Sequence, residues 1–361
     1  MACSAGAGSQ GTPSNVLRQS WEAYRTRFIQ KDGRVIDYRA GGISTSEGQA
    51  YAMLRAAWIR DRATFDRAWN WSLNNLNSGV RADHLWAWKW GKDAAGNWKV
   101  LDKAFATDAD EDAAVALLLA WKTWNDPRYL RAAQATIADL WNHAVVAIGG
   151  RRYLLAGDSL CGADGCRINP SYYAPYAYRL FAKYDRAHPW NQMVGESYRL
   201  LESVSSLTGT HLPPDWAHLD TTTGDVALGS SKDSSFSYDA FRVFWRVALD
   251  YRVNQDPRAA QYLRQSLPWL SAEWSRDGRV PAVISANGRQ RAEYESFDML
   301  GGILPALRIT APQVADQVGK KLVSTYSNGF WSEPDSYYLQ NWAWLGTALY
   351  EGYVAPFREL L

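Results

Sequence analysis

From Val16 to Tyr353 the 361-residue chain repeats one pattern, a stretch with apolar residues three and four positions apart followed by a loop carrying Gly, Pro, Asn or Asp. The pattern predicts helices over 14–28, 46–60, 62–76, 108–124, 127–146, 171–184, 190–207, 237–252, 256–274, 294–308, 311–325 and 337–353. Twelve segments make six helical hairpins, which bury their apolar faces when they close into a ring. Several starts carry cap chemistry: Thr45 or Ser46 ahead of Glu47, Asp126-Pro127, Asp256-Pro257 and Asn169-Pro170. Strand signals are confined to pieces near 33–37, 97–101 and 151–155, suited to small hairpins at a rim. Two loops, 78–107 and 209–236, are too long for an up-and-down bundle, and long ordered loops are usually functional. The expected architecture is all-α, an (α/α)6 toroid or barrel of six helical hairpins with small β-hairpins at its rim. It forms one domain over 14–361 behind a flexible leader, 1–13.

Charge excludes some partners. Thirty-nine Lys and Arg nearly balance 37 Asp and Glu and interleave with them, which favours neither nucleic acid nor an anionic membrane. No run of 18 apolar residues exists to span a bilayer. The opening MACSAGAGSQGTPSN lacks the basic region and apolar core of a signal peptide, so it reads as a small-residue leader, compatible with a signal already removed. Cys3 is then either a lipid-attachment cysteine or an unpaired one in a tail. Cys161 and Cys166 bracket the turn-rich Gly162-Ala163-Asp164-Gly165, and the spacing fits both a disulfide and two free thiols. A bridge would imply an oxidising compartment.

The five histidines form no pair at metal-ligand spacing, and no Cys/His cluster suits zinc. Neither a serine elbow, a P-loop nor a dinucleotide fingerprint is present, so no metal or cofactor is expected. What stands out is aromatic: 19 Trp, 20 Tyr and 10 Phe. Flat rings beside carboxylates are what a glycosidase needs, the rings for pyranose faces and two acids for the scissile bond.

Three segments carry such acids. Glu47 opens an apolar helix, where it is either a partly desolvated proton donor or a plain first-turn glutamate favoured by the helix dipole. Asp108, Asp110, Glu111 and Asp112 crowd into five positions, a repulsion the dipole offsets by only ~0.3 to 1 kcal/mol per charge. Asp108 and Asp112 share a helix face while Asp110 points elsewhere. Either one of the group meets sugar hydroxyls, or the cluster merely caps the helix. Asp239 and Arg242 lie three apart, so the arginine keeps the acid ionised for a general-base role, or the two form an ordinary surface pair. Trp86, Trp88 and Trp90 alternate, which in an extended loop puts three indoles on one side for sugar stacking; core burial is the plainer alternative. Tyr172 and Tyr173 add two phenols at a helix start.

The run Ala106-Thr107-Asp108-Ala109-Asp110, continuing into an apolar helix, resembles the signature of glycoside hydrolase family 8. The segments Thr45-Ser46-Glu47-Gly48-Gln49, Gly33-Arg34-Val35-Ile36-Asp37, Asn169-Pro170-Ser171-Tyr172 and Ser237-Tyr238-Asp239-Ala240-Phe241-Arg242 follow in that family's order. Within the family the chain is most similar to periplasmic endoglucanases encoded with bacterial cellulose synthase. The resemblance implies an inverting endo-β-1,4-glucanase without metal or cofactor, periplasmic or secreted, acting on a polysaccharide, with an association to the cellulose synthesis machinery; an open groove on such a toroid is compatible with a monomer. Carried over by position, Glu47 matches the proton donor, Asp239 the general base and Asp108 the aspartate that holds the sugar at the cleavage site. Tyr172 and Arg242 match residues that position the base and its water. Glu111 and Ala113 depart from the usual signature, and 290–361 matches less clearly. Chitosan, mixed-linkage β-glucan and xylan remain alternative substrates, and a non-catalytic glycan-binding toroid the alternative of another class.

Overall fold

The computed structural model describes residues 12–158 and 160–361, so the readings of Cys3 and of most of the leader fall outside the described residues. Fourteen α-helices run through the described chain. They are Asn15–Phe28 (α1), Ser46–Ile59 (α2), Arg62–Ser72 (α3), Thr107–Trp124 (α4), Pro127–Ala144 (α5), Pro175–Tyr184 (α6) and Trp190–Ser206 (α7). Phe241–Asn254 (α8), Pro257–Ser266 (α9), Pro268–Asp277 (α10), Phe297–Thr310 (α11), Pro312–Ser324 (α12), Tyr337–Tyr350 (α13) and Ala355–Arg358 (α14) complete them.

Six of these close a ring: α2 packs on α4, α4 on α6, α6 on α8, α8 on α11, α11 on α13, and α13 returns to α2. Outside it, α1 covers α13, α3 covers α2, α5 covers α4, α7 covers α6, α9 covers α8 and α12 covers α11. The expected ring of six hairpins is the observed one. The sequence explains who sits where: α2 is buried from Gly48 to Trp58 and α4 from Thr107 to Ala120, whereas α5, α7 and α12 bury single stripes. Because outer and inner helices alternate along the chain, the inner six run in one direction and gather their N-termini at one end.

Edge-to-face indoles fill the ring, with Trp58 and Trp344 at 5.4 Å and Trp245 and Trp342 at 5.8 Å between centroids. The backbones of α11 and α13 touch. A Cβ on Gly346 would stand 1.9 Å from the Gly301 carbonyl oxygen, so only glycine fits there.

Three antiparallel sheets ornament the rim. The first pairs Ser44–Thr45 (β1), Lys89–Lys92 (β2) and Trp98–Asp102 (β3); the second pairs Val145–Ile148 (β4) and Arg151–Leu154 (β5). The third orders Cys161–Gly162 (β6), Gly165–Ile168 (β7), Ala217–Leu219 (β8) and Val226–Leu228 (β9). Cys161 and Cys166 are disulfide-bonded across the β6–β7 turn.

The structure corrects several expected boundaries. The 33–37 piece makes only isolated bridges, Ile29 with Val35 and Asp37 with Ile43. The helix expected over 256–274 divides at Pro268, which cannot donate to the preceding turn. Those expected from 171 and 237 begin at Pro175 and Phe241. The pieces expected at 97–101 and 151–155 stand as β3 and β5, and the long loops also hold β2, β8 and β9, strands too short to show a period of their own.

Candidate active site

Glu47, Asp108, Asp239 and Arg242 come from three different inner helices or their entries, and the ring brings them together at its N-terminal end. Thr45 Oγ1 accepts the Gly48 N–H at 3.0 Å, which starts α2 so that Glu47 falls in its first turn. Asp108 occupies the first turn of α4, whose cap residue Ala106 offers no side chain, so the exposed N–H dipoles favour a carboxylate there. Asp239 ends the loop into α8, and Arg242 lies in the first turn of that helix.

The Arg242 guanidinium joins all three acids. Its Nη1 donates to Glu47 Oε2 at 3.0 Å and to Asp108 Oδ2 at 2.9 Å, and its Nη2 donates to Asp239 Oδ1. The side chains of Glu47 and Asp239 are 20% and 32% exposed, while those of Arg242 and Asp108 are 2% and 3%. Two carboxylates therefore face solvent above a buried arginine and a buried third acid. Tyr337 Oη donates to Glu47 Oε1 at 2.8 Å, and the Arg242 guanidinium lies 5.4 Å from the Tyr172 ring.

Burial pushes the Glu47 carboxyl up to about 7, with the charges of Asp108 and Asp239 adding to the rise and Arg242 and Tyr337 opposing it. Burial also raises Asp108, against the pull of Arg242 and Arg246. Glu47 is thus an acid that still holds its proton near neutrality, a step away from an aspartate tied to a cation.

The acids crowded at the start of α4 separate by partner. Asp108 meets Arg242, Asp112 takes two bonds from Arg246 at 2.9 and 3.1 Å, and Glu111 accepts from Tyr178 Oη at 2.9 Å. Asp110 is fully buried and accepts the Trp86 N–H at 3.0 Å, so the reading of it as a sugar ligand is corrected: it anchors a loop.

The aromatic row is corrected too. The extended strand β2 begins only at Lys89, so Trp86 lies ahead of it, and the rings packed against Trp90 take it away from a sugar platform. Trp86 is buried in the core. Trp90 stacks on Trp98 at 4.8 Å, meets Trp71 edge-on at 5.2 Å and lies under the Arg34 guanidinium. Trp88 is half-buried, and its carbonyl accepts the Ser46 N–H beside Glu47 at 3.0 Å. Tyr173 is likewise corrected: it is buried and its hydroxyl accepts the Leu154 N–H at 2.9 Å, while the Tyr172 ring meets Trp216 and the Arg242 guanidinium.

Sequence reasoning missed Tyr337, Asp215 and Trp216. Trp216 Nε1 donates to Asp239 Oδ2 at 3.0 Å, and Asp215 Oδ1 accepts the N–H groups of Ser237, Asp239 and Ala240. No spacing links these residues to the site: bonds from the Asp215 N–H to the Ser235 carbonyl and from the Trp216 N–H to the Asp233 carbonyl lay 215–216 beside the loop that carries Asp239, and the return of α13 to α2 brings Tyr337 to Glu47.

A helical toroid whose inner N-termini gather a glutamate raised to about 7, a partly exposed aspartate and a shared arginine defines a carboxylate-dependent glycoside hydrolase. The chain belongs to Glycosyl hydrolases family 8, whose profile matches residues 1–338. It is 33% identical over 276 residues to an endoglucanase of Salmonella typhi, across 75% of this chain and 72% of that protein. Among solved structures, the endo-1,4-D-glucanase from Vibrio fischeri ES114 superposes with a TM-score of 0.78 at 26% identity, covering 92% of this chain and 94% of that one. The endo-β-1,4-glucanase CMCax from Acetobacter xylinum does so with a TM-score of 0.75 at 25% identity, covering 93% and 98%.

Proposed function

We propose that this protein is an inverting endo-β-1,4-glucanase acting on cellulose or its soluble derivatives. Glu47 protonates the glycosidic oxygen as the bond to C1 breaks. Asp239 takes a proton from the water that attacks C1 from the opposite face, and Asp108 steadies the distorted ring. Arg242 holds the three acids in register and Tyr172 covers the guanidinium. Trp88, next to the entry of α2, offers a ring for a pyranose face. The single observation that carries the reading is the Arg242 bridge from a carboxyl raised to about 7 to an exposed aspartate. Because inversion needs room for a water, the Glu47 and Asp239 carboxyls should stand ~6.5 to 9.5 Å apart.

The relatives named as endoglucanases support the substrate class. The Cys161–Cys166 bond supports a periplasmic or secreted location. Among the described residues no helix is long and apolar enough to cross a membrane. An association with cellulose synthesis and a monomeric state complete the proposal.

The test is a reducing-sugar assay on carboxymethylcellulose, followed by anomer-resolved NMR of the first products. The α-anomer must appear first, and Glu47→Gln and Asp239→Asn must fold yet lose turnover. Early β-anomer would overturn inversion, and an inactive wild-type chain would leave a glycan-binding toroid.

A further inference from the structure

We infer that Asp215 and Trp216 form a clamp that sets the position of Asp239. The inference rests on the reading of Asp239 as the base.

The geometry has two parts. Asp215 is buried, and its Oδ1 accepts the N–H groups of Ser237 at 3.0 Å, Asp239 at 3.1 Å and Ala240 at 2.8 Å, while Oδ2 accepts from Ser237 Oγ. Helix α8 has no cap of its own, since Ala240 at its N-cap has no side chain to offer. A carboxylate from a distant segment does that work and freezes the backbone on which Asp239 stands. The next residue holds the side chain: Trp216 Nε1 bonds Asp239 Oδ2 at 3.0 Å while Arg242 bonds Oδ1, so both oxygens are fixed.

The clamp is itself braced. The Arg167 guanidinium lies 4.5 Å over the Trp216 ring and pairs with Asp233 at 2.6 Å, and the Trp216 N–H bonds the Asp233 carbonyl at 2.9 Å. Tyr172 meets Trp216 at 6.0 Å between ring centroids. A loop held this well can orient a base to the tolerance that catalysis demands.

Three substitutions in the full chain test the clamp, with kcat and KM measured on carboxymethylcellulose. Trp216→Phe keeps the ring and removes the donor: kcat should fall about tenfold, as for a hydrogen bond to a charged group. Asp215→Ala removes the acceptor of three N–H groups and should lower kcat at least as far, whereas Asp215→Asn keeps an acceptor and should restore most of the rate. KM should stay near the wild-type value in all three. An unchanged kcat in folded Trp216→Phe, or a loss that falls on KM instead of kcat, overturns the clamp. If Asp215→Ala does not fold, Trp216→Phe alone decides. Asp239→Asn separates the two readings: an inactive Asp239→Asn beside unchanged clamp variants sinks the clamp only, whereas an active Asp239→Asn sinks the base assignment and the clamp with it.

Discussion

The Tyr337 hydroxyl sits 2.8 Å from Oε1 of Glu47, donating from the first turn of α13 to the first turn of α2 across the closure of the ring. A donor to a carboxylate favours its charged form, so Tyr337 limits how far burial raises Glu47. With Glu47 as the proposed acid, the working form is the protonated one, present below about 7 and lost as pH rises through that value. The alkaline limb of kcat/KM should therefore fall near pH 7, and Tyr337→Phe should move it to higher pH. A pH profile of the two proteins checks both statements, and a limb that moves down contradicts the assignment.

Arg242 is the buried cation shared by three acids, so its replacements should be unequal. Arg242→Lys keeps the charge but loses the planar fork, and kcat should fall ~100-fold through misplacement of the acids. Arg242→Ala leaves buried carboxylates uncompensated and should cost about 3–5 kcal/mol of stability. Initial rates and urea unfolding separate the two effects.

Gly346 has no room for a methyl group, because the obstacle is the Gly301 carbonyl of α11 rather than a side chain that can turn away. Gly346→Ala should destabilise by more than the ~1–3 kcal/mol of ordinary overpacking. Gly319→Ala is the control: its Cβ would meet Tyr350 at 3.6 Å, an ordinary contact, and helix propensity favours alanine by about 0.5–1 kcal/mol. Thermal unfolding of the pair should give opposite signs.

Reducing the Cys161–Cys166 bond opens a short loop, whose closure contributes about 2 kcal/mol in the chain-entropy model. The β6–β7 hairpin it closes joins β8, which directly follows Trp216. Reductant should lower the unfolding midpoint by a few degrees. Calorimetry with and without dithiothreitol measures it, and an unchanged midpoint would refute the contribution.

The helices were legible because their signal is local. Thr45 before Glu47, Asp126 before Pro127 and Asp256 before Pro257 start α2, α5 and α9 as the cap rules require, and the stripes on α5, α7 and α12 mark the outer layer. Glu47, Asp108 and Asp239 were candidates from residue type and helix position, each with a plain structural alternative. The strand pieces at 97–101 and 151–155 were legible and stand as β3 and β5, whereas the other strands, of two to four residues, carry too little period; Trp90 was misread because only the fold sets Trp71 and Trp98 against it.

What the chain alone determined, then, is a set of helix ends with acids on them. Tertiary structure decided which of those acids meet. Arg242 could be paired with Asp239 from their spacing, but its reach to Glu47 and Asp108, the Tyr337 bond across the ring and the hold of Asp215 and Trp216 all join segments far apart in sequence. Such contacts follow from closing the ring and from the backbone bonds that tie 215–216 to 233–235, and charge and burial at the site depend on that closure, which no local pattern encodes.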